Sequence, residues 1–205
     1  MRKWMLIGGI LVILGTGATF VLRHGFEWPG SPWSRGTVVE TLDGVPVYDN
    51  GPIASLSHGH SYAPDGTYFG LKWQPTEFVA RYLYRARGHV MPVGSGSPLS
   101  FFDDQTPQGA VNEQRGLVQF RQGGTERPRK GDIIVLGNEG DDGQVGIVSD
   151  VGGDFVEIVW QDATPPRLRL PMSTDGGYRV TSPLPVLGWL RVPSMRAEAR
   201  LRRIL

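Results

Sequence analysis

The sequence predicts an α+β domain, an antiparallel β-sheet packed against one core helix, carried behind an N-terminal transmembrane helix. Three features carry that prediction. Residues 75–88, PTEFVARYLYRARG, set Phe78, Val79, Tyr82, Leu83 and Ala86 along one helical stripe. Residues 129–192 hold a succession of short apolar runs separated by glycine and aspartate turns. Residues 4–22, WMLIGGILVILGTGATFVL, carry no charge, and a bilayer-spanning helix needs roughly 20 such residues.

Composition bounds the rest. Of 205 residues, 40% are hydrophobic, which allows one domain with a real core. The 29 glycines and 16 prolines favour short strands and turns over a helical bundle. A net charge of +1 leaves no electrostatic footprint for nucleic acid, so no nucleic-acid partner is expected. With no cysteine, disulfides, zinc–thiolate sites and thiol nucleophiles are excluded in this chain. No cofactor or metal is expected.

At the N-terminus, Arg2 and Lys3 precede the apolar run and favour a cytoplasmic end, although Arg23 weakens the asymmetry. A retained anchor would make this a single-pass membrane protein, held through residues 4–22, with its domain periplasmic or extracellular. The other reading is a cleaved signal peptide. Its apolar core would be about 7–15 residues, followed by an A-x-A-like site, and no good site precedes Arg23 and His24. Residues 1–24 are assigned as the anchor and 25–35 as a linker. Within the linker, Trp28 and Trp33 read either as an interfacial aromatic belt or as ordinary linker residues packing on the domain. Residues 36–193 form the domain, and 194–205 a basic tail. The tail, SMRAEARLRRIL, reads either as a short basic helix that docks on lipid or a partner, or as a frayed terminus.

Within the domain, Thr37–Thr41 and Val45–Tyr48 flank an Asp43-Gly44 turn and predict a hairpin. His58 and His60 in SLSHGHSY are two apart; they read as a metal pair, as a base, or as part of a polar loop. Residues 68–74 are extended and aromatic. Pro75 then suits a first helical turn, where its missing N–H costs nothing. Glu77 and Arg81 are spaced i, i+4 on the face opposite the stripe. Arg85, Arg87 and Gly88 complete a favourable C-terminus. Residues 91–124 predict a long excursion with short elements near Leu99–Phe102 and Leu117–Phe120. Strands are predicted at Ile133–Leu136, Gln144–Val151, Phe155–Gln161, Arg167–Met172 and Val186–Val192.

The run Tyr68, Gly70, Lys72, Trp73, Gln74, Pro75, Thr76, Glu77, Phe78 and Arg81 resembles the motif Y-x-G-x-K-W-Q-C-V-E-F-x-R-R. That motif belongs to the CHAP amidase/peptidase group of the NlpC/P60 cysteine hydrolases, and the likeness is greatest to the glutathionylspermidine amidase domain. Lys130-Gly131-Asp132, Gly143-Gln144-Val145-Gly146, Val159-Trp160-Gln161-Asp162 and Val186-Leu187-Gly188-Trp189 continue the likeness in order, over about 36–192. The resemblance implies a papain-like fold and, together with the anchor at 4–22, a bacterial inner membrane, and it puts the reactive groups in question. The thiol position is Pro75, which has no nucleophilic atom. The histidine position is Gln144, which does not titrate near neutral pH. The orienting position falls at Trp160, or by a slip at Gln161 or Asp162.

Three readings of function follow. The first is a catalytically inactive amidase-like domain, not an enzyme, that binds a cell-envelope protein or a peptidoglycan peptide. It would use Trp73, Gln74, Thr76, Gln144, Trp160, Gln161 and Asp162, with a bulky Trp160 tending to fill the old cleft. The second is a hydrolase using Thr76 or a serine as a rearranged nucleophile, which would need a base. The third is an inhibitor or immunity-type protein capping an active amidase.

Overall fold

The protein is described by a computed structural model over residues 35–52, 56, 58–137 and 142–194. The expected anchor at 4–22, the linker up to residue 34 and the tail from residue 195 lie outside the described residues. Two small hairpins come first. Strands β1 (Val38–Leu42) and β2 (Val45–Tyr48) pair antiparallel across the Asp43-Gly44 turn. Strands β3 (His60–Tyr62) and β4 (Tyr68–Leu71) pair likewise. Helix α1 (Pro75–Arg87) follows, then a 3₁₀ turn at Pro98–Phe101. The remaining strands are β5 (Val111–Asn112), β6 (Leu117–Arg121), β7 (Ile133–Leu136), β8 (Gln144–Val151), β9 (Phe155–Trp160), β10 (Arg167–Ser173), β11 (Arg179–Val180) and β12 (Val186–Arg191). They build one antiparallel sheet in the order β11-β10-β9-β8-β7-β12-β6-β5.

Side chains on a strand alternate between faces, and that alternation divides the core in two. Ile133, Val135, Val145, Ile147 and Val159 point one way and pack with Phe78, Val79 and Leu83 of α1. Ile134, Leu136, Val148, Val156 and Ile158 point the other way, where they cluster with Leu170, Met172 and Trp160. Pairing of Ile133 with Ile147 and of Val148 with Ile158 keeps each set in register.

Helix α1 runs over the residues its local signals specify. Pro75 opens it, Arg85 and Arg87 occupy the last turn, and Gly88 takes the left-handed cap at φ 63°. Its second face is not solvated. The two hairpins cover it. Glu77 and Arg81 are buried and pair at 2.7 Å. Glu77 also accepts from the Ser61 hydroxyl of β3 at 2.8 Å, and Arg81 donates to the Pro46 carbonyl of β2 at 2.7 Å. The guanidinium stacks 5.1 Å from the Tyr48 ring centroid. One ion pair therefore ties both hairpins to the helix.

Two expectations are corrected. The expected α+β class gives way to a mainly β one: the described residues hold one 13-residue α-helix against twelve strands. That is not the helix-and-sheet layering of a papain-like core. The physical reason is that only one segment of the described chain carries an apolar stripe at helical period, while the glycine-punctuated segments from Val111 onward pair as antiparallel strands. The single-pass membrane topology, with a periplasmic or extracellular domain, is corrected as well: among the described residues no helix is long and apolar enough to cross a membrane.

Candidate functional site

The start of α1 opens into a cavity of about 560 Å³, within the range of roughly 300–1,000 Å³ typical of small-ligand sites. The chain reaches it through a tight turn. Strand β4 ends at Leu71, the Gln74 N–H donates to the Leu71 carbonyl at 3.2 Å, and Trp73 adopts φ 66°. A left-handed conformation at a bulky residue costs on the order of 1–3 kcal/mol and persists only where the surroundings hold it. Here the indole packs 4.5 Å from the His58 ring and 6.2 Å from that of Tyr48. Gln74 is then the N-cap in extended conformation, with no side-chain capping bond, and Pro75 and Thr76 form the first turn. Gly70 of β4, at φ 127°, passes so close that an added Cβ would sit 3.4 Å from Glu77 Cβ.

Gln74, Pro75, Thr76, Gln144 and Asp162 all line this cavity. Residues some seventy positions apart meet because α1 packs across β8, whose first residue is Gln144. Gln144 Oε1 is buried and has no hydrogen-bond partner. Asp162 follows β9 at φ 62° and also borders a neighbouring cavity of about 270 Å³. Burial pushes its carboxyl above the usual range. The Asn50 side chain works against this by hydrogen bonding, and the charge of Asp49 adds to it. Asp142 is the other carboxylate on the wall, and no lysine, arginine or histidine among the described residues lines it.

Three of the sequence-derived site residues lie elsewhere. Trp160 does not fill the cleft; it packs with the cluster on the sheet face away from α1, and its indole N–H donates to the Pro165 carbonyl at 3.1 Å. Gln161 is fully buried and engages the backbone of Tyr48 at both ends of its amide: the Tyr48 N–H donates to Oε1 at 3.2 Å, and Nε2 donates to the Tyr48 carbonyl. It clips the first hairpin to the main sheet. Trp73 is the aromatic wedge of the turn. The two histidines of the SHGH segment do not converge on a common point. His58 Nε2 lies 3.3 Å from the Asn50 carbonyl, and His60 Nδ1 lies 3.1 Å from the Tyr68 hydroxyl. Among the described residues, no group of three or more histidine or acidic side chains is arranged to hold a metal ion.

The far rim of the cavity, Ser95 to Pro98, comes from the 91–124 excursion, which the resemblance implies would border a cleft and the residues alone read as a variable loop. Arg115 holds that rim from beneath. It is 1% exposed and donates to the carbonyls of Val93 at 2.5 Å, Ser95 at 3.1 Å and Ser100 at 3.1 Å, and to the Ser100 hydroxyl at 2.8 Å. Its guanidinium lies 4.0 Å from the Phe101 ring centroid. Burial pushes its pKa down to about 10. Nothing in the local sequence marks this arginine as buried, because its partners are main-chain carbonyls that any sequence supplies.

The fold and site together define a mainly β domain with a cavity at the N-terminus of its helix. No family model matches the chain. The chain is 24% identical over 170 residues to trypanothione synthetase of Crithidia fasciculata, an alignment covering 73% of this chain and 25% of that protein. It thus spans about a quarter of that relative's length. The match is that of a distant homologue. It is consistent with the CHAP-type amidase resemblance and does not by itself assign a family.

Proposed function

We propose that this chain is a catalytically inactive amidase-like domain whose cavity binds, without cleaving, a peptide-bearing partner: a peptidoglycan peptide or a cell-envelope protein. One observation carries the reading. The thiol and histidine positions of the resembled motif face the same cavity, and the residues that occupy them, Pro75 and Gln144, carry neither a nucleophilic atom nor an imidazole. An amide nucleophile needs a base in reach, and a proline ring and a carboxamide supply neither. What remains is recognition chemistry. Gln144 presents an unpartnered acceptor, Thr76 a hydroxyl, and Asp142 and Asp162 two carboxyls.

The test is to incubate the purified chain with peptidoglycan stem peptides, follow amide cleavage by mass spectrometry and measure binding by calorimetry. The expected result is no cleavage, with binding weakened at least about tenfold by Gln144→Ala, the loss of one good hydrogen bond to a ligand. Turnover that Thr76→Ala abolishes would replace this reading with a threonine hydrolase. Stable co-purification with an active amidase, together with no binding of stem peptides, would replace it with a capping protein.

A further inference from the structure

The opposite end of α1, roughly 20 Å from the cleft along a 13-residue helix, borders a second kind of pocket. Arg87 from the last turn of α1, Arg129 and Lys130 from the turn before β7, and Arg191 from the end of β12 converge on a cavity of about 160 Å³. That is too small for a drug-sized ligand, which takes roughly 300 Å³ or more, and suits a single oxyanion with its water. The one carboxylate on its wall, Asp132, is already engaged. Arg191 grips it through two bonds of 2.9 and 2.7 Å, and the Arg129 N–H donates to it at 2.8 Å. Asp43 takes Lys130 at 2.9 Å. The other ion pairs of the cluster are looser: Arg87 to Asp43 at 3.6 Å, Arg129 to Glu126 at 3.6 Å and Arg191 to Glu126 at 3.5 Å. Four cations against three carboxylates leave a positive excess, in a chain whose net charge is only +1. The backbone is shaped to the cluster as well. Gly131 has φ 89°, and an added Cβ there would collide with the Arg87 guanidinium, which lies over it.

We propose that this pocket binds a phosphate group, with Arg87, Arg129 and Lys130 as donors and Arg191 holding Asp132 out of the way. Guanidinium groups present paired N–H donors that match phosphate oxygens, and charge-assisted bonds of this kind are about twice as strong as neutral ones. Four cations from three separate segments surround one small space, which a solvated surface face does not require. Binding there is independent of the cleft.

The experiment titrates the full chain with sodium phosphate, with sodium chloride at matched ionic strength as the control, and follows backbone amide shifts of residues 129–132 and the thermal midpoint. Arg129→Gln/Lys130→Gln is the test variant. Both side chains are more than half exposed, at 65% and 56%, so it is expected to fold, which the thermal midpoint without phosphate checks. Arg169→Gln, which removes an exposed cation from β10, controls for charge. The expected result is saturable phosphate binding in the parent and in Arg169→Gln, weakened at least about tenfold in the double variant. In a second arm, vesicles carrying phosphatidic acid are sedimented with the chain. Retention that the double variant loses supports the site with a lipid as the phosphate source; no retention alongside phosphate binding supports it with a soluble source. A response that chloride reproduces, or one the double variant keeps, overturns the proposal.

Discussion

Replacing Arg81 with methionine tests how the helix is held. Glu77 and Arg81 are 2% and 4% exposed, so removing the guanidinium leaves a buried carboxylate with the Ser61 hydroxyl as its remaining side-chain partner. Breaking a buried ion pair in this way costs about 3–5 kcal/mol. For a chain of this size each kcal/mol moves the thermal midpoint by about 2–4 °C, so Arg81→Met is expected to lower it by about 6–20 °C. The Pro46 carbonyl loses its donor and the Tyr48 ring its cation, which adds to the upper end. Glu77→Met/Arg81→Met removes both charges and is expected to recover at least half of the loss, since apolar replacement of a buried pair is often neutral or better. Circular dichroism melts and urea titrations of parent, singles and double close the cycle. A single-variant loss below about 1 kcal/mol would show that the pair is solvated in solution, and the account of a helix clamped on both faces would fall.

Gln161→Ala removes both clips on the Tyr48 backbone and is expected to cost about 1–3 kcal/mol, with faster hydrogen exchange at the Tyr48 amide; unchanged exchange there would contradict the clip. Arg115→Met strips donors from the carbonyls of residues 93, 95 and 100 and is expected to loosen the cleft rim, read as new proteolytic cuts between 93 and 100. Acid sensitivity should run through Glu40. Arg167, at 2.9 Å, holds its carboxyl below the ordinary value of 4.5, with the Thr41 N–H helping. A depressed folded pKa means this stability is present above the unfolded value and lost as pH falls through the folded one. Urea midpoints should therefore drop as pH falls below about 4.5, and Arg167→Met should flatten that slope; equal slopes in parent and variant would contradict the assignment. The Tyr82 phenol, pushed up to about 12 by burial and then by Asp43, should stay protonated through any alkaline titration ending below pH 11, as read by its absorbance near 295 nm.

Local signals were sufficient where the structure is local. Proline at the first helical position, the apolar stripe and the glycine after Arg87 delimit α1 from the sequence alone, since each acts within one or two turns of backbone. The Asp43-Gly44 turn and strands β7, β8 and β9 are legible for the same reason. The shared cavity of Pro75 and Gln144 could be expected only through the motif resemblance, because nothing in either residue's own neighbourhood points to the other.

Only the tertiary structure decided the rest. The spacing of Glu77 and Arg81 puts them on the face opposite the apolar stripe and is silent on burial; they are buried because two hairpins, one of them with three- and four-residue strands, fold over that face of the helix. Strands as short as β5 and β11 carry no readable period, so a chain that looked α+β is mainly β. Trp160 and Asp162 are two residues apart, but one packs on the far face of the sheet and the other reaches the cleft, because β9 ends at Trp160 and the left-handed turn at Asp162 redirects the chain. Chemical identity at each position is a property of the sequence; which identities meet depends on strand register and chain crossing, interactions of residues tens of positions apart.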